Sequence, residues 1–161
     1  MEAAQPAQHG ESGEPGALDD LARAVAHIAH SDGDYVTAIP ELSLHRRSTT
    51  TEPLHCIYGF GVGITIRGQK RVALGDEVFD YSAGQSLLTT ADLPVVTHIT
   101  RASATQPFMG LMLRLDPRAV VQAAAEMALP PPARDGTQRA MSLGELDPTL
   151  LGAVTRLVQL L

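Results

Sequence analysis

Tryptophan is absent from this chain, and tyrosine and phenylalanine together bring the aromatic content to only 4%. A carbohydrate or nucleobase site built from stacked rings does not fit that composition. Lysine is almost as scarce. Lys70 is the only one, the arginines are scattered, and the formal net charge is −6. Gripping DNA or RNA requires clustered cations that neutralise phosphates, so this chain alone is not expected to contact nucleic acid. Cys56 is the sole cysteine, which rules out an intrachain disulfide. No apolar run reaches the roughly 18 residues of a membrane span. The opening MEAAQPAQHGESGEPGA has neither the basic start nor the apolar stretch of a secretory signal. A cytoplasmic location with no membrane partner is expected.

What is present is ordinary for a soluble globular protein: 161 residues, 44% hydrophobic and 19% charged. That suffices for one domain with its own core. Residues 1–17, rich in Gly, Pro, Glu and Gln, read as a disordered tail. Leu18, Leu21, Val25 and Ile28 then recur at helical spacing, and Gly33 follows, so a helix is expected over about 18–30.

From residue 36 the period changes to two. Leu42, Leu44 and Arg46 alternate with Ser43, His45 and Arg47. In LHCIYGFGVGITIRG, Tyr58, Phe60, Val62, Ile64 and Ile66 share one face, while Gly59, Gly61 and Gly63 share the other. Such a glycine face permits close approach by another backbone or marks a bend. KRVAL, a turn at Gly75-Asp76, and EVFDY form a hairpin. Ser82-Ala83-Gly84 turns into QSLLTT, ADLP turns again into VVTHITRAS, and FMGLMLRL carries Met109, Leu111, Leu113 and Leu115 on one face. About seven or eight short strands with brief connections argue for a sandwich or a barrel. Asp116-Pro117 and Asp147-Pro148 each open a helix as N-cap and first position. Pro130-Pro131-Pro132 ends the first helix, and RDGTQRAMSLGEL reads as a polar connection to the second.

Several blocks in order carry a resemblance: PLHCIYGFGV, RGQKRVALGDEVFDYSAG, LLTTADLPV and PFMGLMLRLDP. Over about residues 20–161 the chain resembles the N-terminal domain of AraC-type transcriptional regulators. The resemblance implies a mainly β fold with flanking helices, a cupin-like β-barrel (double-stranded β-helix, or jelly roll) followed by C-terminal helices. It implies a domain over 18–128 that senses a small-molecule effector, then a connection and dimerisation helix over 129–161. It also implies a helix-turn-helix DNA-binding domain, which is absent from this chain. One departure is Ser82-Ala83-Gly84, where the family usually has Asp-Pro-Gly; this alters a turn.

Catalytic chemistry finds little support. A cupin metal centre needs His-x-His, a Glu and a later His converging on one ion, and no His-x-His occurs. His27 and His30 share a helix face without a visible third ligand. Cys56 lies in an apolar strand with His55 pointing the other way. GFGVG opens no helix, so it is no phosphate loop. Neither catalytic residues, a metal nor a cofactor is expected. If Tyr58, Phe60, Val62, Ile64 and Ile66 face inward they form an apolar wall, and His98, Tyr58, His55, Arg46 and Tyr81 are the candidate polar groups around a ligand. His98 leads, because it sits mid-strand among β-branched residues. In the last helix Leu150, Val154, Leu157 and Leu161 follow 4-3-4 spacing and Val158 widens the stripe, which suits a homodimer interface. The expected function is a ligand-sensing and dimerisation domain of a bacterial transcription regulator. The alternatives are a metal-free cupin isomerase or epimerase using His98 and a tyrosine, or a dimerisation module with a filled barrel.

Overall fold

The computed structural model describes residues 16–130 and 139–161. The expected tail, all but its last two residues, and the 131–138 part of the polar connection lie outside them.

Helix α1 (Ala17–Ile28) buries Leu21, Ala22 and Val25, as the helical period requires. Asp19 and Asp20 occupy its first turn, where the helix dipole favours negative charge. Ten strands follow among the described residues, in two wholly antiparallel sheets. The larger runs in the order β1 (Gly33–Val36), β2 (Leu42–Arg47), β9 (Phe108–Arg114), β4 (Gly61–Arg67), β7 (Gln85–Thr89) and β10 (Met141–Glu145). The smaller runs β3 (Leu54–Tyr58), β8 (Leu93–Arg101), β5 (Gln69–Leu74) and β6 (Glu77–Ser82). Gly75 (φ +57°) and Gly84 (φ +83°) stand in the left-handed region at the β5–β6 and β6–β7 turns, conformations that L side chains resist.

Helices α2 (Pro117–Glu126) and α3 (Pro148–Gln159) start where the sequence places them. The Asp116 carboxylate accepts from the Arg118 amide at 2.9 Å. Asp147 accepts from Thr149 and Leu150 at 2.8 and 3.1 Å. Those bonds satisfy amides that the first helical turn leaves unpaired.

There are two apolar layers. One lies between the large sheet and the helices: Leu42 and Leu44 of β2, Ile64 and Ile66 of β4, and Met109 and Leu111 of β9 meet Leu21 and Val25 of α1 and Val154 and Val158 of α3. Each of these side chains contributes roughly 1.5–3 kcal/mol on full burial, which holds α1 and α3 against the sheet. The second layer lies between the sheets and contains Tyr58, Val72, Tyr81, Leu87, Val95 and Met141.

The mainly β, cupin-like architecture with flanking helices agrees with expectation, but five details differ. The sheets face one another without closing into a barrel, so β1, β10, β3 and β6 remain edges. The stretch 54–66 is two strands, because at Gly59-Phe60 the chain leaves the small sheet for the large one. Val62, Ile64 and Ile66 do not wall the interior; they pack toward the helices. Part of the expected polar connection is β10, paired with β7 and burying Met141. Its Met-Ser-Leu-Gly-Glu pattern is too short and polar to announce an edge strand. Finally, Val154 and Val158 are each 2% exposed and pack within their own chain, on α1. Leu150 and Leu157 are partly buried in the same cluster, while Leu161 is 40% exposed.

Candidate ligand cavity

Between the two sheets lies a cavity of about 970 Å³. Its large-sheet wall is made of the residues that alternate with the helix-facing apolar set: Ser43, His45 and Arg47 of β2, Gly63 and Thr65 of β4, and Phe108, Gly110 and Met112 of β9. The glycines let neighbouring groups approach the sheet closely. A Cβ at Gly110 would meet the Phe108 ring at 2.9 Å and the Ile64 carbonyl oxygen at 3.0 Å. One at Gly63 would lie 3.4 Å from the Tyr81 hydroxyl and 3.6 Å from Met112. The small-sheet wall carries Cys56, Tyr58, Lys70, Tyr81, Thr97 and Ile99.

The polar lining is organised. Asp34, paired with His45 across the β1–β2 ladder, accepts from Arg47 Nη2 at 2.8 Å through Oδ1. His45 Nδ1 lies 2.8 Å from the same oxygen. A carboxylate only accepts, so Nδ1 carries the hydrogen, and Nε2 of the neutral ring accepts from Ser43 Oγ at 3.2 Å. Burial lowers the His45 pKa; the hydrogen bond to Asp34 opposes it, and the charge of Lys70 reinforces it. For Asp34, partial burial works against ionisation, but the hydrogen bonds from His45 and Arg47 outweigh it and its pKa is lowered. Across the cavity Tyr58 and Thr97 share a hydrogen bond at 3.2 Å, and Thr97 donates to the Arg71 carbonyl at 3.2 Å. Burial, and next the neighbouring Tyr58, push the Tyr81 hydroxyl well above the usual tyrosine range. Lys70 Nζ sits 5.4 Å from the centre of the Tyr58 ring. The Cys56 thiol also lines the cavity, and burial raises its pKa.

Of the residues singled out in the sequence, the fold brings Tyr58 and Tyr81 into this cavity, and His98 borders it from the other face of β8. His98 alternates with the inward Val95, Thr97 and Ile99 of β8, and its ladder neighbour is Arg71. His55 is exposed and borders a separate pocket of about 440 Å³ with Ile57, Ala73 and Val96. Arg46 does not line the cavity; it shares the helix-facing parity of Leu42 and Leu44, and its Nη1 donates to the Ala29 carbonyl at the end of α1, 3.1 Å away. The residues missed were Asp34, His45, Arg47 and Lys70. The available signal was the alternation itself, since His45 and Arg47 are the other face of the strand from which Arg46 was chosen. Among the described residues no three His, Cys, Asp or Glu side chains gather as a metal site, and no helix is long and apolar enough to cross a membrane.

Ser43, His45 and Asp34 stand in the hydrogen-bonded order of an acyl-transfer triad. That chemistry also needs free amides aimed at a developing oxyanion. Here β2 lies between β1 and β9, with residues 43–46 in register with both neighbours, so its amides belong to the two ladders. The cluster is better suited to holding a polar group than to cleaving a bond.

The model of the family described as AraC-type transcriptional regulator N-terminus matches residues 38–161. No curated protein matches. Among solved structures, ToxT from Vibrio cholerae superposes with a TM-score of 0.53 at 5% identity, covering 73% of this chain and 46% of that one. Wild-type ToxT with an unsaturated fatty acid bound gives 0.51 at 7% identity, covering 73% and 44%. An apo form of ToxT gives 0.52 at 6% identity, covering 75% and 48%. This chain therefore spans less than half the length of those structures, and at such identities the likeness is one of fold.

Proposed function

Since this chain belongs to the AraC-type transcriptional regulator N-terminus family, as a ligand-sensing regulatory domain of that kind, we propose that the cavity between its sheets receives a small effector with a largely apolar body. The observation that carries this is the 970 Å³ of space between the sheets, lined by Gly63 and Gly110 among other residues. A module with a filled barrel would place side chains there. Pockets of about 300–1,000 Å³ take drug-sized ligands. Tyr58 and Tyr81 join His45 and Arg47 as the polar groups that orient the ligand. The fatty acid bound in ToxT supports an effector of the same broad character.

The domain is read as non-enzymatic and cytoplasmic. In favour of a binding role, His98 alternates along β8 with Thr97 and Ile99, which line the space between the sheets together with Tyr58 and Tyr81. Effector binding would bias DNA binding by a partner domain. A homodimer belongs to this proposal. With Val154 and Val158 committed to α1, its contacts fall to the exposed end of α3, where Leu160 and Leu161 are 81% and 40% exposed.

The neutral dye Nile red tests the cavity. It is expected to bind wild type at one site per chain and to lose that site in Gly63→Leu, whose side chain projects into the space, while circular dichroism shows the variant folded. No binding to wild type, or equal binding to folded Gly63→Leu, refutes the reading. Sedimentation of wild type and Leu161→Asp tests the dimer: a monomeric wild type removes it.

A further inference from the structure

We infer that the effector carries a carboxylate at one end of an apolar body, and that Lys70 is the residue that receives that charge. This rests on the reading of the cavity as the sensing site.

Lys70 is the only lysine in the chain, and the fold aims it inward. On β5 it alternates with Arg71 and shares the face of Val72 and Leu74, which pack between the sheets. Its Nζ ends over the Tyr58 ring, 5.4 Å from the ring centre. The other cation deep in the lining, Arg47, is already matched by Asp34. Among the described residues Lys70 has no carboxylate within ion-pairing distance and no side-chain hydrogen bond. A half-buried ammonium whose partner is a ring face keeps its three N–H donors available. A carboxylate oxygen is the stronger partner, because both members of that hydrogen bond are charged.

The surroundings fit the same ligand. Tyr81 faces Lys70 directly across the β5–β6 ladder. Its hydroxyl is held protonated by burial, so it adds a donor beside the ammonium instead of a second negative charge. Ile99, the ladder partner of Lys70 on its other side, and Phe108 and Met112 opposite offer apolar surface to the rest of the molecule. A cationic ligand would meet Lys70 unshielded, and a sugar would leave the ammonium without a counter-charge.

The test uses a matched pair of probes, octanoate and octan-1-ol, which share a chain and differ in charge. Each displaces Nile red from the full chain. Octanoate is expected to be about tenfold or more the stronger competitor, the factor that one charge-assisted hydrogen bond supplies. Lys70→Met should bring octanoate down to the level of octanol without weakening octanol, and Lys70→Arg should restore most of the difference. Because the chain has one lysine, reductive ¹³C-methylation, which keeps the charge, labels a single side chain besides the amino terminus. Its resonance is expected to move with octanoate and to stay with octanol. Equal competition by the two probes in wild type overturns the inference. So does a preference that survives Lys70→Met, or a labelled lysine that responds alike to both. Should Lys70→Met fail to fold, the labelled wild type decides alone. If Nile red binds and the probes compete equally, only this inference falls. If Nile red never binds wild type, the sensing-site reading falls and takes the inference with it.

Discussion

Gly61 and Gly63 share a strand and a face, yet replacing each by alanine should have opposite consequences. A Cβ at Gly61 collides with the Leu113 carbonyl oxygen and comes within 3.1 Å of the Arg114 Cα. Both obstacles are backbone of the paired strand β9, so neither can rotate away. Overpacking of this kind costs typically about 1–3 kcal/mol, partly offset by the roughly 0.4–1 kcal/mol that Gly→Ala removes from the freedom of the unfolded chain. A net loss of about 1–2 kcal/mol lowers the unfolding midpoint of a domain of this size by roughly 2–8 °C. At Gly63 the nearest atoms are the Tyr81 hydroxyl and the end of the Met112 side chain, at 3.4 and 3.6 Å. Those sit at ordinary contact distance, and Met112 is flexible. Gly63→Ala should therefore keep or slightly raise the midpoint while weakening Nile red binding. Thermal unfolding followed by circular dichroism, with dye titration of each variant, separates the two. The reasoning fails if Gly61→Ala melts at or above wild type, or if Gly63→Ala melts as low as Gly61→Ala.

Other outcomes follow from the same structure. His45 has a folded pKa below its unfolded value of about 6.5, so the unfolded chain takes up that proton first and stability should decline as pH falls below 6.5; urea midpoints between pH 7 and 5 should drop less in His45→Gln than in wild type. Asp147→Ala removes the cap of α3 and should cost about 1 kcal/mol in chemical denaturation. Val158→Ala opens space between α3 and α1 at a site 2% exposed and should cost about 2 kcal/mol from the lost methyl groups and the cavity; an unchanged midpoint would mean that α3 is not docked in solution.

Much of the fold was legible in the residues. Helix α1 announces itself through Leu18, Leu21 and Val25, the caps Asp116 and Asp147 mark α2 and α3, and Gly75 and Gly84 mark two turns, because each of these depends on neighbours within a few positions. The candidate site was legible only in part. Tyr58 and Tyr81 were found as polar residues within apolar strands. Asp34, His45 and Arg47 come together because β1 pairs with β2, and Lys70 meets Tyr58 because β5 and β3 both flank β8. Those are pairings of distant segments that no local pattern encodes.

By itself the sequence determined that β2 and β4 each have one apolar face and one small or polar face, since side chains alternate along a strand. It could not say which face looks inward. The large sheet is covered on both sides, by helices on one and by the second sheet on the other, so an apolar face has two places to go. Only the tertiary structure decided it. The bulky set of Leu44, Ile64 and Leu111 packs toward α1 and α3, where close-packed helices reward every methyl group. That leaves Gly63, Thr65 and Gly110 toward the other sheet, where side chains too short to span the gap leave a cavity.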